Sequence, residues 1–174
     1  MSKILISIIL IIIFLTFPSY VSADTYVAGS SAQLRQNTQA VSDPRVEKLR
    51  KYLAGHKSPL TGYADEFVYA ADKYGLDWRL VPAISGVEST FGKRIPKGSY
   101  NAYGWANGDF RFDSWENSIN IVSQTLRTKY IDRGAPSINK IARRYAPPSS
   151  SWAWKVKYFM EKIEPFPVNF DLEV

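Results

Sequence analysis

The stretch "VPAISGVESTFGK", residues 81–93, places a carboxylate at the end of an apolar helical stripe. Val81, Ile84 and Val87 recur at helical spacing, and Glu88 follows Ile84 by four residues and Val81 by seven, so all four share a face. A carboxylate is a poor core residue unless something uses it there. Three effects push its pKa upward in this setting. The apolar face desolvates the charge, the C-terminal end of a helix presents carbonyl dipoles to it, and the positions three and four residues away hold Ile84, Ser85, Phe91 and Gly92 rather than a cation. A carboxylic acid still protonated near neutral pH is what glycosidic cleavage requires, because a sugar oxygen leaves poorly until a general acid protonates it. The competing reading is a glutamate that frays into solvent at the helix end.

The residues that follow favour the chemical reading. Ser89 and Phe91 come next, then a loop carrying Tyr100, Asn101, Tyr103 and Trp105. Sugars bind by laying C–H faces on aromatic rings and by hydrogen bonds to small polar groups, and this loop supplies both. Packing is the alternative for the rings. Tyr103 and Trp105 alternate onto one side, so one of them is expected in the core and not both on a ligand.

These residues need elements to hold them. "SDPRVEKLRKYLAG" reads as a helix with Asp43 at its N-cap, Pro44 at its first position and Gly55 at its end. Tyr63 to Tyr74 is a second helix, stopped by Gly75. The Glu88 helix starts at Asp77, its regular part beginning near Arg79 because of Pro82. Between "YGWA" and "DFRF", Asn107-Gly108 is a hairpin-turn signal. Asp113 with Glu116 reads as a capping box for a long helix reaching Tyr130. Ser137 opens a short helix to Tyr145, and Ser151 opens a last one with Trp152, Val156, Phe159, Met160 and Ile163 inward. The expected fold is mostly α (α+β), a helical domain with a short β-hairpin beside the cleft.

Residues 1–23 read as a secretory signal peptide: Lys3, an apolar run from Ile4 to Phe17, Pro18, then small residues up to Ala23. The run of 14 residues is short of the roughly 20 that a spanning helix needs. An uncleaved anchor is the other possibility, and only then would the chain touch a membrane. Residues 24–42 read as a flexible leader. Residues 24–174, 151 in number, carry 21 Lys and Arg against 16 Asp and Glu, a net +5 that suits anionic partners such as wall polymers. Nucleic acid is not expected, since the segment directs export and no dense basic run is present. The chain has no cysteine and one histidine, His56, which removes thiol peptidases and the usual zinc hydrolases. No metal or cofactor is expected.

"YAADKYGLDWRLVPAISGVESTFG" resembles the catalytic segment of the lysozyme-like superfamily, as in soluble lytic transglycosylases and goose-type lysozymes. "ESTFGK" followed by Asn101-Ala102-Tyr103-Gly104 resembles the bacterial glucosaminidase branch more closely, and so does "FDSWENSINIVSQTLRTKYI". The similarity runs from about Tyr63 to Ile163. It implies that 43–174 is a lysozyme-like catalytic domain, a secreted, wall-associated monomer acting on peptidoglycan glycan strands. By the same resemblance Glu88 is the catalytic acid, Ser89 supports the site, Tyr100, Asn101, Tyr103 and Trp105 belong to the substrate side, and Tyr145 matches a late tyrosine beside the acid. The Gly-Leu-Met-Gln segment of lytic transglycosylases is absent, with Ala-Tyr-Gly-Trp at 102–105 in its place. A hydrolase usually recruits a second carboxylate. Asp109 is the first candidate and Asp113 and Glu116 follow, all three also explained as turn and cap residues. Three readings stay open: an N-acetylglucosaminidase cleaving β-1,4 bonds between N-acetylglucosamine and N-acetylmuramic acid, a lytic transglycosylase giving anhydro products, and a non-catalytic glycan-binding module.

Overall fold

The structure, a computed structural model, describes residues 43–147 and 149–165. The signal segment 1–23 and the leader 24–42 lie outside the described residues.

Local signals set most helix ends. Helix α1 (Pro44–Gly55) starts where the Asp43 carboxylate accepts the Arg45 N–H at 2.9 Å, with proline at its first position. The Arg45 guanidinium bridges Asp43 and Asp72 at 2.6 and 2.7 Å, tying α1 to α2 (Ala64–Tyr74). A 3₁₀ turn, Thr61–Tyr63, leads into α2, and Gly75 closes it in the left-handed region at φ 59°. Helix α3 (Leu80–Ser89) follows an Asp77 side chain that accepts the Arg79 N–H and its guanidinium. Pro82 falls in the first turn of α3, where its missing N–H has no intrahelical acceptor to lose.

The cap of α4 (Trp115–Thr125) lies one residue later than the sequence suggests. Ser114 accepts the Asn117 N–H at 3.1 Å, and Asn117 Oδ1 accepts the Asp113 N–H at 3.4 Å. The box therefore uses Ser114 and Asn117, not Asp113 and Glu116. α4 then widens into a π-helical turn, Leu126–Ile131. Helices α5 (Ile138–Tyr145, capped by Ser137) and α6 (Trp152–Ile163) complete the described chain.

α3 is the central element, with Leu80 to Gly86 and Ser89 all buried. It packs against α6 and α4; α2 lies on α4, and α1 on α2 and α6. Leu49, Leu53, Phe67, Ile84, Ile119, Val122, Leu126 and Val156 fill the core, each worth ~1.5–3 kcal/mol of burial. Gly86 lets the Phe91 ring fold back over α3, since a Cβ there would lie 2.6 Å from the ring.

The short β-hairpin expected beside the cleft is absent: among the described residues there is no strand. Trp105–Gly108 is instead a 3₁₀ turn, with Ala106 and Asn107 left-handed at φ 51° and 55°. Asn107 does turn the chain, but no ladder grows from it. The Asn101 side chain takes both polar groups of the Trp105 backbone, donating to its carbonyl at 2.9 Å and accepting its N–H at 3.1 Å. An amide side chain thus fills the place of a partner strand. The two arms of the loop meet through Phe112 N–H to the Ser99 carbonyl, 2.9 Å.

Candidate active site

Glu88 emerges at the last turn of α3, half-buried, with Ser89 buried behind it. The helix ends abruptly. Thr90 N–H returns to the Gly86 carbonyl and Phe91 N–H to the Ser85 carbonyl, and both residues are left-handed, at φ 56° and 58°. Left-handed backbone costs a side-chain-bearing residue about 1–2 kcal/mol. Five of the six such residues lie at 90, 91, 100, 106 and 107, so the strain is concentrated around Glu88.

Two elements reach the carboxylate. From α6, the Trp152 indole N–H donates to Glu88 Oε1 at 2.6 Å. From the loop, the Gly104 Cα backs onto Oε2, so closely that a Cβ there would lie 2.6 Å from that oxygen. Gly104 also has φ 71°, which a side chain disfavours. Burial pushes the Glu88 carboxyl above its ordinary 4.5, while the Trp152 N–H and the charge of Lys155 pull it down; burial prevails.

Ser89, Asn101 and Tyr145 hold this loop in place. The Ser89 hydroxyl lies 2.8 Å from the Ala102 carbonyl and accepts the Gly92 N–H at 2.8 Å. Asn101 clasps Trp105 as described. The Tyr145 hydroxyl donates to the Tyr103 carbonyl at 2.7 Å and not to Glu88, although Glu88 is near enough to help push its pKa upward, after burial. Residues 101, 102 and 103 are thus each pinned immediately before Gly104. The Tyr145 ring stacks on Trp152 at 5.0 Å, so the residue that fixes the loop also braces the indole that fixes the acid.

The rings of the loop divide. Tyr103 is fully buried and packs edge-on against Phe112. Tyr100 is half-buried against Trp115. Trp105 is half-exposed and, with Gly104, Phe110, Tyr130 and Tyr145, lines a groove of about 450 Å³; Glu88 is not in its wall and adjoins it through Gly104. The π turn brings Tyr130 to this wall, 6.0 Å from the Tyr145 ring. Asp109 is exposed, closes the 3₁₀ turn through its backbone N–H, and is not in the groove wall. A larger hollow of about 610 Å³ at the N-terminal end of α3 is lined by Leu80, about 12 Å along the helix from Glu88, so it is remote from the acid.

The spacing along α6 marks Trp152 as a core residue, and no cation neighbours Glu88 on its own helix; both Trp152 and Lys155 come from α6, 64 and more residues away. The available signal was a buried tryptophan, whose N–H needs an acceptor. Chemically, the arrangement is a partly desolvated, oriented carboxyl with one N–H donor, packed against one wall residue of an aromatic groove. It can deliver a proton to an oxygen held there. No protein-family model matches the chain, and no curated protein matches its sequence.

Proposed function

We propose that this chain is an exported glycosidase that cleaves the β-1,4 bonds of peptidoglycan by general-acid catalysis from Glu88, as an N-acetylglucosaminidase of the lysozyme-like kind. The observation that supports it most is the state of Glu88: half-buried, held above its ordinary pKa, oriented by an indole N–H, and packed against Gly104, a wall residue of an aromatic groove. In this reading Glu88 gives its proton to the glycosidic oxygen, the C1–O bond breaks with its electron pair going to that oxygen, and the sugar left behind carries oxocarbenium character. Trp152 fixes the direction of the proton. Trp105 and Tyr130 offer ring faces to the sugars.

The substrate itself can complete the reaction. Its N-acetyl oxygen can bond to C1 and yield later to water, or its 6-hydroxyl can attack C1 and leave an anhydro end. The second course makes the chain a lytic transglycosylase. Products from purified wall sacculi, read by mass spectrometry, separate the two: reducing N-acetylglucosamine ends for the glucosaminidase, anhydro-muramic ends for the transglycosylase. Absence of any cleaved glycan with wild-type protein would leave a binding module and overturn the catalytic reading.

A further inference from the structure

Away from the groove, α6 carries two exposed rings that no packing role explains. Trp154 is 65% exposed and Tyr158 45%, and they stack on each other at 5.6 Å with an interplanar angle of 22°. They stand four residues apart on one flank of the helix. The Lys162 ammonium lies 5.5 Å over the Tyr158 ring. Lys162 also enters the next feature, a groove of about 510 Å³ between α1 and α6 whose wall includes Lys48, Lys51 and His56. Lys48 pairs with Glu164, whereas Lys51 and Lys162 make no ion pair among the described residues. Flat rings therefore adjoin a groove with two lysines that carry no carboxylate partner among the described residues.

This surface is connected to the acid through α6. Around that helix at about 100° per residue, Lys155 falls between Trp152, which holds Glu88, and the Tyr158–Trp154 flank. Lys155 acts on Glu88 through its charge.

We infer that the Trp154–Tyr158 flank and the adjoining lysine groove form a second docking site for a carboxylate-bearing glycan strand, outside the cleft. Sugar faces lie on the rings, and carboxylates on the strand's substituents meet Lys51 and Lys162. The choice of a wall strand as occupant rests on the peptidoglycan reading. An anionic membrane is the other surface that aromatic rings and lysines can suit, but an interfacial helix needs a broad apolar face. Here the exposed large apolar side chains on α6 are these two rings, among the described residues.

The test compares the exported wild-type protein with Trp154→Ala/Tyr158→Ala and with Lys51→Glu/Lys162→Glu. Each is measured for cosedimentation with purified sacculi, cosedimentation with vesicles of anionic and zwitterionic phospholipid, and cleavage of a short soluble glycan fragment. Melting temperatures confirm that the exposed changes leave the fold intact. Both variants should bind sacculi about tenfold more weakly, equal to ~1.4 kcal/mol, and cleave the short fragment as the wild type does. Undiminished binding to sacculi overturns the docking site and leaves the Glu88 reading untouched. Binding lost from vesicles and not from sacculi also overturns it, in favour of a membrane. If no protein cleaves glycan yet the variants still lose sacculi, the catalytic reading fails and the docking site stands.

Discussion

The α1–α2 pair and the segment from Glu88 to Phe112 use opposite means to hold a shape. In the first, the helix ends are set by local signals. Asp43 caps, Pro44 begins a helix, and glycine takes the left-handed position at residue 75. In the second, Thr90, Phe91, Tyr100, Ala106 and Asn107 all adopt backbone that their side chains resist. What compensates is two contacts within the segment, Ser89 to Ala102 and Asn101 to Trp105, and two from outside it, Tyr145 to Tyr103 and Trp152 to Glu88. Strain held in place by distant partners is expected where geometry serves chemistry rather than stability. Substitutions in the two regions should therefore fail differently, one in turnover and the other in melting.

The largest effect is expected at Gly104. In Gly104→Ala the new Cβ meets Glu88 Oε2 and the backbone must leave φ 71°. Wall lysis should fall by ~10²-fold or more, the scale of losing a positioned acid. Full lysis by Gly104→Ala would show that the contact does not constrain Glu88. Trp152→Phe comes next. Without the indole N–H the carboxyl loses the bond that lowers its pKa, so the alkaline limb of the pH–rate profile should move to higher pH while maximal turnover falls ~10-fold or more. A limb that moves to lower pH would contradict the assigned bond. Tyr145→Phe keeps the stacked ring and removes the hydroxyl that holds the Tyr103 carbonyl. Turnover should drop about 10-fold, ~1.4 kcal/mol of transition-state stabilisation, and melting should fall modestly because the Tyr103 carbonyl loses its donor. Wild-type turnover in Tyr145→Phe would reduce the residue to packing. The smallest effect on turnover belongs to the regular region. Gly75→Ala has room for its Cβ but not the right φ, so it should lose ~1–2 kcal/mol of stability and no activity. A loss of turnover there without a loss of melting temperature would erase the contrast between the two regions.

The same contrast decides what could be read from the chain. Asp43-Pro44, Gly75, Ser137 and the apolar stripe of α6 act on their neighbours, so the helices they bound were legible. The Asn107-Gly108 signal was read as a hairpin because the local pattern fits one. What prevents a ladder is the Asn101 side chain reaching the Trp105 backbone, a choice that no turn propensity encodes. Glu88 stood out because a charge interrupts an apolar stripe. Its partner did not, because 64 residues separate it from Trp152 and only packing joins them. Tyr145 was expected to reach the acid or the substrate, and its hydroxyl goes to the carbonyl one residue before Gly104.

The central claim is that burial holds the Glu88 carboxyl above its ordinary pKa, where it can serve as an acid. Its titration in the folded protein, followed by carboxyl-carbon NMR with Glu88→Gln to assign the signal, tests this most directly. The native state binds its proton more tightly than the unfolded chain does. Stability is therefore lost as pH rises from about the unfolded value of 4.5 through the folded midpoint, and Glu88→Gln should gain in melting temperature over wild type across that window. The account predicts a midpoint above 4.5 that coincides with the alkaline limb of the pH–rate profile and moves higher still in Lys155→Met. A midpoint at or below 4.5 would contradict it.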